Sequence, residues 1–214
     1  MPDAASGTIR EDGGPPLDGR TLRAERTRRA IVAAHMDLMC EGDLQPTGER
    51  IARRAGVSLR ALWRNFSDLE SLFAASGRKS WEMRNEVYQP VPVSLPLAER
   101  IDAFCRQRVT ILELIAPASR AAQIRIPFSA ELKRSRGVHN EAVRDEIETL
   151  FAEELATFGS ERAEVVLALL TATTWPAWMS LRDDFGRDEA AGLRTMRRTV
   201  TALLRPVEAA PRGL

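Results

Sequence analysis

The sequence predicts an all-α fold, a small three-helix N-terminal head followed by a larger helical C-terminal domain. Three observations lead there. Apolar residues recur at spacings of three and four along most of the chain, and no alternating strand pattern of useful length interrupts them. Between Gly42 and Phe73 the cap and breaker residues spell a short helix, a tight turn and a second helix. Prolines at Pro90, Pro92 and Pro96 then cut the chain into a head and a remainder.

The first element is expected from about Thr21 to Glu41, with Ile31, Ala34 and Leu38 on its inner face. Thr47 follows Pro46 and precedes Ile51, Ala52 and Ala55, so its hydroxyl can cap a short helix ending near Ala55. Gly56 can take a left-handed backbone, and Val57 offers an apolar plug inside the corner. Ser58 is a second cap. Beyond it Leu62 and Phe66 fall four apart on one face, which leaves Leu59, Arg60, Trp63 and Arg64 to point elsewhere. Ser67 with Glu70 reads as a capping box for a long helix reaching about Tyr88.

These residues resemble the tetracycline-repressor (TetR) family of bacterial transcription regulators. The family pattern is matched by Ile51 and Ala52, Ala55 to Ser58, Leu62 and Trp63, Phe66, and Glu70 with Leu72, and the upstream helix with Ile31, Ala34, Leu38 and Gly42 fits as well. The resemblance implies a helix-turn-helix DNA-binding domain over residues 20–66, a connecting helix over 67–90, and a ligand-binding and dimerisation domain over 91–206. It implies a homodimer that binds palindromic double-stranded DNA and is released by a small-molecule effector. The expected DNA-binding residues are Thr47, Ser58, Leu59, Arg60, Trp63, Arg64 and Asn65. Three positions depart from the family: Trp63 stands where Tyr is usual, Leu69 where Lys is usual, and Ala61 where Thr or Ser is frequent. Trp63 can still donate an indole N–H, whereas Leu69 can form no ion pair with a phosphate, so weaker or more salt-tolerant binding is expected.

Charge is distributed to match. The chain has a formal net charge of +1, yet residues 20 to 64 hold ten arginines against five carboxylates, a local excess of +5. Such an excess suits phosphate neutralisation, and without the turn motif it would read as a solvated Arg-rich surface. Arg10 or Arg20 could form a minor-groove arm, or residues 1–19, with Gly13, Gly14, Pro15 and Pro16, could be a disordered tail. A short tail is expected again over 207–214.

In the second domain Leu97, Ile101, Phe104, Cys105, Leu112 and Ile115 form one buried helix face, and Arg108 lies on that face. A charge there must pair, snorkel outward or meet a ligand. The next helix is expected to break near Pro127, and another to run from about Val138 to Phe158. From Glu161 to about Leu181 the chain is apolar all round at Val165 to Leu170, with Pro176 expected to kink the helix between Trp175 and Trp178. The closing helix after Gly186 carries Leu193, Met196, Val200 and Leu203 and ends at Pro206. Resemblance to the family's final helix pair implies a dimer interface of Val165, Leu169, Trp178, Leu193, Met196 and Val200. Expected lining residues of the effector pocket are Trp81, Phe104, Arg108, Phe128 and Trp175.

The remaining signals are mostly exclusions. No apolar run approaches the ~20 residues of a membrane span, and the N-terminal segment is polar, so a soluble, cytoplasmic protein is expected. Cys40 and Cys105 stand alone, each expected as a small buried hydrophobe, with a redox-sensing pair as the alternative. His35 and His139 are the only histidines. His35 is expected to be a half-buried structural residue. With no Gly-rich phosphate loop and no nucleophile context, no catalytic residues, no metal and no cofactor are expected. Two alternatives to a ligand-controlled repressor stay open: a helical protein-interaction module with weakened DNA binding, and an enzyme on a helical scaffold.

Overall fold

The computed structural model describes residues 19–205, and every regular element among them is helical. Helices α1 (Gly19–Cys40), α2 (Gly48–Arg54) and α3 (Leu59–Asn65) make the head, and α4 (Leu69–Val87) leads out of it. Then follow α5 (Leu97–Arg125), α6 (Ala130–Leu150), α7 (Ala152–Ala156), α8 (Arg162–Thr173), α9 (Trp175–Met179) and α10 (Glu189–Leu203). The possible arm at Arg10, the 207–214 tail and the stop at Pro206 lie outside the described residues, while Arg20 falls within α1.

The head closes on Ile31, Leu38, Ile51, Leu62, Phe66 and Leu72, with α2 and α3 braced against α1. A larger core in the second domain gathers Phe104, Leu112, Ile147, Phe151, Leu169 and Val200. Between them lies a third, smaller cluster of Met39, Phe73, Ala121 and Leu132, one residue each from α1, α4, α5 and α6. The head is therefore packed onto the second domain and not merely tethered to it. Ser129 reinforces the joint: its hydroxyl accepts from Leu132 N to cap α6 and donates to the Glu70 carboxylate at the start of α4, at 2.6 Å.

Several expected boundaries move. The cap of α4 is Asp68, not Ser67: its carboxylate accepts from Ser71 N at 2.7 Å and Ser71 completes the box, which frees Glu70 for Ser129. Helix α5 runs unbroken through Pro117 and stops only at the Ile126–Phe128 turn. The helix expected from Val138 begins earlier, at Ala130 behind its Ser129 cap, and is interrupted at Phe151. Most consequentially, the helix expected over 161–181 is broken and not kinked. Thr174 is extended (φ −100°, ψ 170°), and Pro176 sits in the first turn of α9, where its missing N–H is tolerated.

Burial corrects two further expectations. Cys40 is exposed, while Cys105 is buried, with its thiol pushed up to about 12 by burial. His35 is completely enclosed. Its Nδ1 lies 2.8 Å from Ser76 Oγ and its ring meets Phe73 edge-on, so it ties α1 to α4.

Candidate functional site

The helix-turn-helix is assembled by local chemistry. Thr47 accepts from Arg50 N at the start of α2, and Ser58 accepts from Ala61 N at the start of α3. Gly56 takes φ +67°, and the turn is closed by Val57 N donating to Ala52 O at 3.0 Å. Leu62 and Phe66 are buried, so α3 offers solvent the face bearing Ser58, Leu59, Arg60, Trp63 and Arg64. Trp63 lies across the start of α2: a Cβ added at Gly48 would stand 2.5 Å from its ring. Thr47 is exposed beside it. Asn65 is half-buried, and its side-chain amide donates to Ala61 O, within its own helix.

The guanidinium groups of the head divide into two sets. Arg54 is paired with Glu41 and Arg50 with Asp43. Arg53, Arg60 and Arg64 are exposed and make no ion pair among the described residues. Arg28 has a different role, one that its place in an Arg-rich helix did not reveal. It crosses from α1 to the end of α3, where Nη1 donates to Asn65 O at 2.6 Å and the guanidinium stacks 4.2 Å from the centre of the Phe66 ring. A cation on the last carbonyls of α3 also complements its dipole. Leu69, in the position where the resemblance leads one to expect Lys, is half-buried and packs on the head core.

A cavity of about 160 Å³ lies in the second domain, between α4, α5 and α6 and the α8–α9 break, and it reaches Met39 at the end of α1. Three of the five residues expected to line it do so: Trp81, Arg108 and Trp175. Phe104 does not, being packed edge-on against Phe151 in the core. Phe128 does not either. It is 91% exposed, because the turn after α5 carries it away from the domain. Sequence reasoning missed Arg84, Arg136 and His139, which come to the cavity from α4 and α6.

Arg108 is the pivot of this cavity. It is buried, and its Nε and Nη2 both donate to Thr173 O, at 3.1 and 3.0 Å. Thr173 ends α8, and the extended Thr174 directs the following amides away, so Arg108 supplies donors that a continuing helix would have supplied. Burial brings its guanidinium down to about 10, which still leaves it charged at neutral pH. Glu146 is the carboxylate whose field it feels, but Glu146 accepts from Gln107 and does not line the cavity. Arg84 is buried beside it, stacked on the rings of Trp81 and Tyr88. His139 meets Trp81 edge-on, and burial holds its imidazole below the usual range.

The residues expected at a dimer interface divide. Leu169, Met196, Val200 and Trp178 are buried within the protomer, so they have no surface to offer a partner. Trp178 packs against Gly192 and donates its indole N–H to Glu113. Val165 and Leu193 are half-buried against the same core. On α8 it is Leu167, 55% exposed, that faces out, one turn from the exposed Ala163 and Thr171.

Solved structures share this all-helical fold. A TetR-family transcriptional regulator from Mesorhizobium loti MAFF303099 superposes with a TM-score of 0.57 at 18% identity, over 85% of this chain and 96% of that one. A transcriptional regulator from Rhodococcus sp. Rha1 gives 0.57 at 17% identity, over 85% and 95%. A TetR transcription regulator from Haloarcula marismortui ATCC 43049 gives 0.60 at 18%, over 85% and 96%. No family model and no curated protein matches the sequence. The chain thus has the all-helical fold of TetR-family regulators. Among the described residues, no helix is long and apolar enough to cross a membrane, and no group of three or more His, Cys, Asp or Glu side chains could hold a metal ion.

Proposed function

We propose that this protein is a cytoplasmic DNA-binding transcriptional regulator, a repressor that binds a palindromic operator as a homodimer and is released by a small-molecule effector. The observation that carries this reading is the α3 face, where Arg60, Trp63 and Arg64 are exposed on a seven-residue helix braced from behind by Leu62 and Phe66. Side chains early in such a helix reach base edges, and flanking arginines neutralise phosphates.

The cavity supports an effector. Its walls include Met39 of α1, Phe73 of α4 and Leu132 of α6, three of the four residues in the cluster that joins head to second domain. A molecule that filled the cavity would press on that joint and reorient the head. In a two-fold dimer a small rotation of each head changes the separation of the recognition helices, and separation must match one DNA turn. The outward stripe of α8, with Ala163, Leu167 and Thr171, is the surface proposed for the second copy. The geometry lends no support to an enzymatic reading: the histidine in the cavity, His139, is hydrogen-bonded through Nδ1 to Ser135 O, and among the described residues no hydrogen bond joins it to a serine or threonine hydroxyl.

Gel retardation with the DNA upstream of the protein's own gene tests this reading. The expected result is a discrete complex with a palindrome, competed by the same palindrome and not by random duplex. Equal binding to every sequence, or none at low salt, would favour the interaction-module alternative.

A further inference from the structure

Arg100 and Arg108 show two ways of burying an arginine in this chain. Both lie on α5, 6% and 4% exposed. Arg100 is neutralised in place: Glu154 accepts two hydrogen bonds from it, at 3.0 and 2.6 Å, and the Leu150 and Leu95 carbonyls take the rest. Arg108 has a carbonyl and no carboxylate. Among the described residues its Nη1 has no hydrogen-bond partner, and it forms no ion pair. Leaving a guanidinium buried without an anion is costly, and the cost falls when an anion arrives.

The same imbalance extends round the cavity. Arg84 and Arg136 also line it, neither forms an ion pair among the described residues, and no Asp or Glu is among the lining residues. Trp175 adds a buried indole N–H with no partner. Beside Arg108, on the same face of α5, the wall is apolar, with Ile111, Leu112 and Ile115. The volume, about 160 Å³, is close to the ~150 Å³ that accommodates a single benzene ring.

We infer that the cavity binds a small organic monoanion, one ring or a short branched chain bearing a carboxylate, with the carboxylate held by Arg108 and Arg84 and the apolar body against α5. This deepens the proposal that the cavity is the effector site, and it gives the effector a lever. A carboxylate that engages Arg108 through Nη1 and Nη2 competes with Thr173 O for Nη2, so occupancy at the cavity loosens or re-aims the α8–α9 break beside the surface proposed for the dimer.

Calorimetric titration of the full chain, without DNA, with phenylacetate, phenylacetamide and phenethylamine tests the inference, because the three share a body and differ in charge. Phenylacetate is expected to bind at least about tenfold more tightly than either of the others. In Arg84→Gln its affinity should fall about tenfold while that of the amide stays put. Arg108→Gln could lose the fold along with its bond to Thr173, so Arg108→Lys, which keeps the charge and loses the fork, serves beside it and should bind phenylacetate more weakly than the parent. Tighter binding of the amine or amide, indifference to Arg84, or no binding of any of the three at millimolar concentration overturns the inference. Anion binding in a protein that ignores DNA would sink the regulatory reading alone, and specific DNA binding without anion binding would sink this one alone.

Discussion

Arg28 of α1 holds the end of α3 through Asn65, donating from Nη1 to its carbonyl at 2.6 Å while stacking on the neighbouring Phe66 ring. The contact joins the helix that anchors the head to the helix proposed to read DNA, and it engages the guanidinium within the head. Arg28→Ala should therefore lower the stability of the head by about 1 to 2 kcal/mol. DNA affinity should fall with it, while the salt dependence of binding keeps its slope, since no phosphate contact is lost. A shallower slope in anisotropy titrations would show that Arg28 touches the backbone after all.

Arg60 is exposed in the first turn of α3 and free of ion pairs among the described residues. Arg60→Ala should cost ~1 to 3 kcal/mol of specific affinity and relax preference at one base pair. Equal losses on operator and random duplex would assign it to phosphate instead.

Trp63 is seated over Gly48, where an added Cβ would lie 2.5 Å from the ring. Gly48→Ala should lift the indole from α2, changing tryptophan emission and weakening DNA binding by roughly 1 kcal/mol, the worth of one hydrogen bond. Helical circular dichroism should be unchanged. Unaltered affinity with an altered emission would remove Trp63 from the DNA-binding face.

The face of α8 can be tested by a pair of substitutions. Leu167 is exposed, so Leu167→Glu should leave a folded protomer that sediments as a monomer and loses the palindrome. Leu169 is fully buried, and Leu169→Glu places an unpaired charge in the core at a cost of several kcal/mol, so it should unfold or aggregate. A folded Leu167→Glu dimer would relocate the interface.

Burial lowers the His35 imidazole from 6.5 to about 4, with the field of Arg125 acting in the same direction. The unfolded chain then binds more protons than the folded one between those values. Stability contributed by the neutral ring is complete above about pH 6.5 and declines as pH falls toward 4, by an amount on the order of 3 kcal/mol. Urea titrations across that range should show a steep dependence in the parent and a shallower one in His35→Leu. His139 is shifted the same way, so His139→Gln serves as the control. Parallel curves for His35→Leu and the parent would mean that His35 is solvated.

The head was legible in the sequence because its signals are local. Thr47, Ser58 and Gly56 act on backbone within four residues, and spacing alone reveals that. Arg108 could be singled out as an oddity on an apolar face, but its partner, Thr173, lies 65 residues away, beyond the reach of periodicity. The cavity fared worse for the same reason: Arg84, Arg136 and His139 reach it from α4 and α6 and meet only in three dimensions. Phe128 was misplaced because a short turn sets its direction, and turns of this kind leave little trace in apolar spacing. The apolar run on α8 concealed its orientation. When Val165 to Leu170 are apolar all round, nothing in the pattern says that Leu169 faces the core and Leu167 the outside.

Selection from a random duplex library with the full-length protein tests the central proposal most directly. Enriched sequences should converge on two inverted half-sites whose centres lie about one helical turn, ~10 base pairs, apart, and Arg60→Ala should lose one base preference in each half symmetrically. Enrichment of a single unpaired half-site, or of no motif at all, would contradict a dimer that reads DNA through α3.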